Sequence, residues 1–156
     1  MPIPFSGGCA CGAICYECTA APAISLNCHC RDCQRATGSA FAPVRRVPTE
    51  ALKITGEPKW YEVTGDSGAR VRRGFCPECG SYLFALALFQ PDLISVTAAN
   101  LDDPSKFRPD GDCYTASAQP WDYMNPELPK YSHMPSLRQR EEAKSQHCPP
   151  SQSYDV

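Results

Sequence analysis

Eleven cysteines in 156 residues, most of them in tight groups, constrain this chain more than any other feature. They read Cys9-x-Cys11, Cys15-x-x-Cys18, Cys28-x-Cys30-x-x-Cys33 and Cys76-x-x-Cys79, with Cys113 and Cys148 standing alone. Secretory disulfides are one source of such a pattern. However, the opening "MPIPFSGGCACG" has no basic region followed by an apolar stretch, and an odd total leaves one thiol over under full oxidation. Closely spaced cysteines in a reducing compartment more often hold metal, so a cytoplasmic, metal-binding chain is expected.

Cys9 and Cys11 with Cys76 and Cys79 supply four sulfurs, enough for a closed tetrahedral zinc site that staples two distant segments. Cys15 and Cys18 compete for the same partners. "AICYECT" alternates like a strand, though, and a separation of three sends those two thiols to opposite faces. Gly7, Gly8 and Gly12 flank the first pair, where tight turning is expected. Cys15 and Cys18 then read as small, half-buried apolar residues, and Cys148 as a free exposed thiol. The trio Cys28, Cys30 and Cys33 is one ligand short. Either Cys113, His133 or His147 closes a second structural site, or the fourth corner stays exchangeable, as in catalytic zinc sites. Spacing alone leaves both open. His29, between two ligands, is expected to point away as a surface or supporting group.

Segments rich in β-branched and aromatic residues, separated by Gly, Pro, Asp or Ser, predict short strands: "AICYECT", "SAFAPVRRV", "LKITG", "KWYEV", "ARVRRGF", "SYLFALALF" and "LISVTAA". "VTGDSGARV" reads as a hairpin turn. Short helical turns are expected at 31–37 and 102–107. From about residue 102 recurrent prolines predict irregular chain laid over the sheets. A single mainly β domain is expected over 1–135, with 136–156 a disordered tail. The longest apolar run, residues 82–89, is too short for a membrane span. A net charge of −2 gives no reason to invoke nucleic acid or an anionic membrane, and the arginines at 45–46 and 70–73 read as solvated strand faces.

The blocks "GGCACGAI", "CHCRDCQRATGSAF", "FCPECGSYLF", "TAANLDDPSKFRP" and "QPWDYMNPELPKY", in that order across residues 6 to 131, resemble the glutathione-dependent formaldehyde-activating (GFA) family, related also to centromere protein V. The resemblance implies a zinc-stapled β-tent built from short antiparallel strands, with two zinc ions per chain. Cys9, Cys11, Cys76 and Cys79 would hold the structural zinc. Cys28, Cys30 and Cys33 would hold a second, exposed and labile zinc where thiol chemistry occurs. The implied activity is condensation of formaldehyde with glutathione, a carbon–sulfur lyase reaction run in reverse. Two departures stand out: Asp112-Cys113 where many relatives carry histidine, and Ala99 where many carry glycine.

Three thiolates on a dication leave a net negative charge, which disfavours water activation. A zinc-bound thiol is nonetheless deprotonated, which suits a thiol substrate and an aldehyde. Glutathione's two carboxylates call for arginines, and Arg31 and Arg35 flank the trio. Gln34, Thr37 and Ser39 add hydrogen-bonding groups, and Trp121 is a candidate pocket wall. His133 is the only general-acid candidate, and a weak one. Two other classes fit the same residues: a non-catalytic zinc module that binds a partner, and a redox- or metal-responsive protein whose trio oxidises.

Overall fold

The computed structural model of the chain describes residues 3–146. Its strands are β1 (Phe5–Gly8), β2 (Cys15–Cys18), β3 (Ile24–Cys28), β4 (Ala42–Pro48), β5 (Leu52–Thr55), β6 (Lys59–Thr64), β7 (Arg70–Phe75), β8 (Tyr82–Ala87), β9 (Leu93–Thr97) and β10 (Asp112–Cys113). The helices are α1 (Arg31–Thr37) and α2 (Leu137–Gln146), with short 3-10 turns between strands. The protein is mainly β, as the strand-rich sequence predicts. Each of the seven segments expected to be extended contains a strand.

Two sheets form. A small one runs β1-β2-β5, and a large one runs β10-β3-β4-β9-β8-β7-β6. All pairings are antiparallel except β10 with β3. Period-2 alternation then gives the large sheet two different faces. Val47, Phe84, Ile94 and Val96 point to one side and make the main core with Phe5, Ile14 and Tyr16 of the small-sheet region. Tyr16 meets Phe84 edge-on at 5.6 Å, and Trp60 stacks on Phe84 at 6.1 Å. Ile24, Leu26, Cys28 and Ala42 belong to a second cluster, which also includes Cys30, Cys33 and Cys113.

β1 lies tightly between its neighbour β2 and the turn that follows β9. A Cβ added to Gly7 would lie 2.3 Å from the Asn100 carbonyl oxygen and 2.5 Å from Tyr16 Oη. Of the glycines expected to turn the chain at the first cysteine pair, only Gly12 has positive φ (79°). Gly7 and Gly8 instead lie in a strand and admit close neighbours.

The hairpin expected at "VTGDSGARV" joins β6 to β7. The Gly68 N–H donates to Gly65 O (2.9 Å), and Gly68 has φ 79°. The helical turn expected at 31–37 is α1, closed by Gly38 in the left-handed region with its N–H on Gln34 O.

Three expectations need correction. Residues 137–146 are helical rather than disordered. Ser136 and Gln139 form a reciprocal capping box, with Gln139 N–H on Ser136 Oγ (3.3 Å) and Ser136 N–H on Gln139 Oε1 (2.9 Å). The Arg138–Glu142 pair (2.7 Å) adds one turn further on, and His147 and Cys148 lie outside the described residues. Second, Arg45 and Arg73 are not solvated: they are 2% and 8% exposed. Arg45 lies over the rings of Phe5 (5.2 Å) and Phe107 (5.8 Å), where planar guanidinium stacks well. Third, of the two roles open to His29 the surface one is excluded, because the ring is 1% exposed, and the supporting one is left.

Among the described residues no helix is long and apolar enough to cross a membrane. The ten described cysteines are free thiols.

Candidate metal centre and the cavity beside it

The chain builds two sulfur clusters with different surroundings. At the first, two tight turns face each other. Cys9 N–H bonds Ile14 O (2.9 Å), and Ile14 N–H donates to Cys9 Sγ (3.2 Å). In the second turn Gly80, with φ 75°, donates its N–H to Cys76 O (2.9 Å). The sulfurs of Cys9, Cys11, Cys76 and Cys79 consequently lie within 4.8 Å of one another. Ser81 joins the turns, its Oγ accepting the Ala10 N–H (3.1 Å) and lying 3.2 Å from Cys79 Sγ. That hydroxyl, before other nearby donors, holds the Cys79 thiol down to about 5. Cys15 is exposed and Cys18 buried on opposite faces of β2, and neither belongs to this group.

At the second cluster, Cys28 ends β3, Cys30 caps α1 and Cys33 lies in its first turn. Cys33 N–H donates to Cys30 Sγ (3.4 Å). The three sulfurs lie within 4.8 Å of one another, and among the described residues no fourth donor joins all three. Cys113 pairs with Cys28 across β10 and β3, yet its sulfur stands outside the set. His133 is exposed, with Nδ1 3.3 Å from Ser132 Oγ.

Crowding splits the thiols. Hydrogen bonds from Cys28 and Cys33 pull Cys30 far below its ordinary value. Cys28 is pushed up, first by Cys113, and Cys33 is pushed up, first by Cys28. Three adjacent sulfurs cannot all ionise without a cation to share, so this donor set fits a soft divalent metal.

Several groups at the trio were not anticipated. Arg73 reaches Cys33 Sγ with Nη1 at 3.9 Å and Nη2 at 4.0 Å, while Nη1 also donates to Tyr82 Oη (2.7 Å). Asp32 and Asp66 each bring a carboxylate oxygen within 4.8 Å of Cys30 Sγ. Asp66 accepts the Arg31 N–H (2.8 Å), whereas Asp32 Oδ2 is buried with no hydrogen bond. Burial first, then the Asp66 charge, raises the Asp32 carboxyl above the ordinary range. His29 ties the trio to the proline-rich cover, with Nε2 3.0 Å from Asp122 Oδ2 and Nδ1 3.2 Å from Asn27 O. Asp112 is buried against Asn27 Nδ2 (3.0 Å) and Lys130 Nζ (3.0 Å). The aspartate in the "QPWD" block was the one available sign of the His29 tie. Nothing in sequence marked Arg73 out from its neighbours.

A cavity of about 260 Å³ adjoins the trio. Cys28, Cys30, Cys33, Arg73 and Tyr82 line it, but Arg31, Gln34, Arg35, Thr37, Ser39 and Trp121 do not. Gln34 is buried, donating to His29 O (2.7 Å) and Ser117 O (3.0 Å), and its Oε1 accepts from the Arg31 guanidinium. Thr37 Oγ1 donates to Cys33 O (2.9 Å). Arg31, Arg35 and Ser39 are exposed along and just beyond α1, and Trp121 is 70% exposed.

Fold and sites together define a mainly β protein with two sulfur clusters fit for metal, one of them opening on a cavity. Residues 4–117 match the family model described as "Glutathione-dependent formaldehyde-activating enzyme", and the chain belongs to that family. Two relatives, from Phaeosphaeria nodorum and Emericella nidulans, are each 34% identical over 85 residues, 51% of this chain. Both carry the name "Putative glutathione-dependent formaldehyde-activating enzyme". The aligned part spans 44% and 43% of their lengths. A solved Rhodobacter sphaeroides protein is similar with a TM-score of 0.47 and 24% identity, over 62% of this chain and 87% of that one.

Proposed function

We propose that this protein joins a thiol, glutathione or a close analogue, to an aldehyde carbonyl, and cleaves the same carbon–sulfur bond in reverse. The observation that carries this reading is a three-sulfur group that, among the described residues, has no fourth donor common to all three and is set in the wall of a cavity. Cys9, Cys11, Cys76 and Cys79 would hold a structural zinc, and Cys28, Cys30 and Cys33 a second one. When bound there, zinc would keep an incoming thiol in its thiolate form.

The remaining chemistry belongs to the chain's own side chains. The thiol gives up its proton, its sulfur attacks the carbonyl carbon, and the carbonyl oxygen takes up a proton to become a hydroxyl. Arg73 beside Cys33 offsets the negative charge of the sulfur cluster. Because Tyr82 Oη accepts from Arg73, its own proton is free for the carbonyl oxygen in the cavity. Burial raises the Tyr82 phenol above its ordinary value, so it stays protonated and serves as a hydrogen-bond donor where charge develops. The exposed Arg31 and Arg35 would meet glutathione's carboxylates outside the cavity.

Exchange between formaldehyde, glutathione and their adduct, followed by NMR with zinc-loaded protein, should exceed the uncatalysed rate. Cys30→Ser should remove the excess. Wild-type protein giving no excess with formaldehyde or any longer aldehyde would end this reading.

A further inference from the structure

We propose that the aldehyde accepted at this site carries an apolar group, an alkyl or aryl substituent of up to about eight non-hydrogen atoms, rather than being formaldehyde alone. This rests on the thiol–aldehyde reading of the same site and adds the substrate class to it.

The cavity is polar at its sulfur end and mostly apolar beyond it. Away from Cys30, Arg73 and Tyr82, its wall is chiefly Leu26 of β3, Val44 of β4, Val71 of β7 and Ala85 and Ala87 of β8, with Arg46 and Ser95 among its polar members. The apolar residues share one face of the large sheet because each lies an even number of positions from another cavity residue on its own strand: Leu26 from Cys28, Val71 from Arg73. At the mouth stand Phe89 and Met134, 71% and 43% exposed, large apolar side chains left in water.

Two charged groups on the wall are engaged elsewhere, while Asp32, whose Oδ2 has no partner, lies at the sulfur end beside Cys30. Arg46 Nη2 donates to Gln90 Oε1 (2.8 Å), and Asp66 accepts from Arg31. A volume of about 260 Å³ holds roughly eight water-sized groups at ~30 Å³ each.

Neither proposed reactant fills such a space. Glutathione's carboxylates and ammonium would lose water along the apolar wall, where few partners replace it. Formaldehyde has no substituent to bury. A hydrocarbon substituent on the carbonyl carbon does fit, with the carbonyl oxygen toward Tyr82 and the chain toward Phe89. Each methylene so buried should tighten binding by about fourfold.

The test uses unreactive thioether mimics of the adduct and needs no turnover. Calorimetric titration of the zinc-loaded full chain with S-methyl-, S-butyl- and S-hexylglutathione should give affinity that rises stepwise, at least tenfold from methyl to hexyl. Ala87→Phe, which fills the cavity, should flatten that rise. Phe89→Ser, at a position 71% exposed, should reduce it, with unchanged circular dichroism and zinc content as the check on folding.

Equal affinity for the three ligands, or no binding by any, would overturn the proposal. The two readings fail separately. A rising affinity without catalysis of any aldehyde would leave the apolar site standing and remove the reaction. Catalysis with equal affinities would do the opposite.

Discussion

Arg73 is 8% exposed, and its guanidinium is shared between a thiol and a phenol. A buried cation needs compensating charge or hydrogen bonds, and here both come from the site it serves. Arg73→Met should keep the bulk and lose the donors. Under the proposed function, kcat/KM should fall about 100-fold, as when a preorganised donor is lost. Tyr82→Phe should lower kcat with little change in the binding of unreactive thioethers, because only the hydroxyl proton is removed. Steady-state kinetics beside calorimetry separates these outcomes, and a Tyr82→Phe enzyme with unchanged kcat would remove the phenol from the reaction. Sequence did not reveal either role. "RVRRGF" shows which residues alternate but not which face its strand buries, and that face is set by β6 and β8 on either side.

The extended segments were legible where one face is buried and turn residues mark the ends, as in "KWYEV" and "ARVRRGF". β3 is harder to read as a strand because "ISLNC" is buried on nearly every residue, so its alternation is lost. β1, "FSGG", has neither β-branched residues nor a repeating pattern, and it is a strand through its pairing with β2. α2 was hidden by polarity: without an apolar stripe, only the Ser136 and Gln139 capping box announced it. The proline-rich cover was foreseen as irregular chain, but its anchor was not. Asp122→Ala should leave the buried His29 ring without its carboxylate, at a cost of about 2 kcal/mol. Amides of residues 117–123 should then exchange at least tenfold faster by mass spectrometry. Unchanged exchange there would show that the cover is held by other contacts.

Across the molecule, the cysteine spacing alone favoured the grouping of Cys9 and Cys11 with Cys76 and Cys79, because a strand cannot present Cys15 and Cys18 to one ion. The folded chain brings those four sulfurs together and gathers the other three at the cavity. The cavity itself could not be foreseen, since its wall draws on β3, β4, β7 and β8, which meet only after the sheet has formed. The account depends on an exchangeable coordination position at the Cys28, Cys30 and Cys33 group. Cobalt(II) substituted for zinc reports that position through its sulfur-to-metal charge-transfer absorption. Adding glutathione should increase this absorption by the contribution of one further thiolate per chain in wild-type protein, and the response should vanish in Cys30→Ser. A spectrum indifferent to glutathione, with the wild-type protein carrying its full metal load, would mean that a side chain such as Asp66 or Cys113 already fills the position, and would contradict the account.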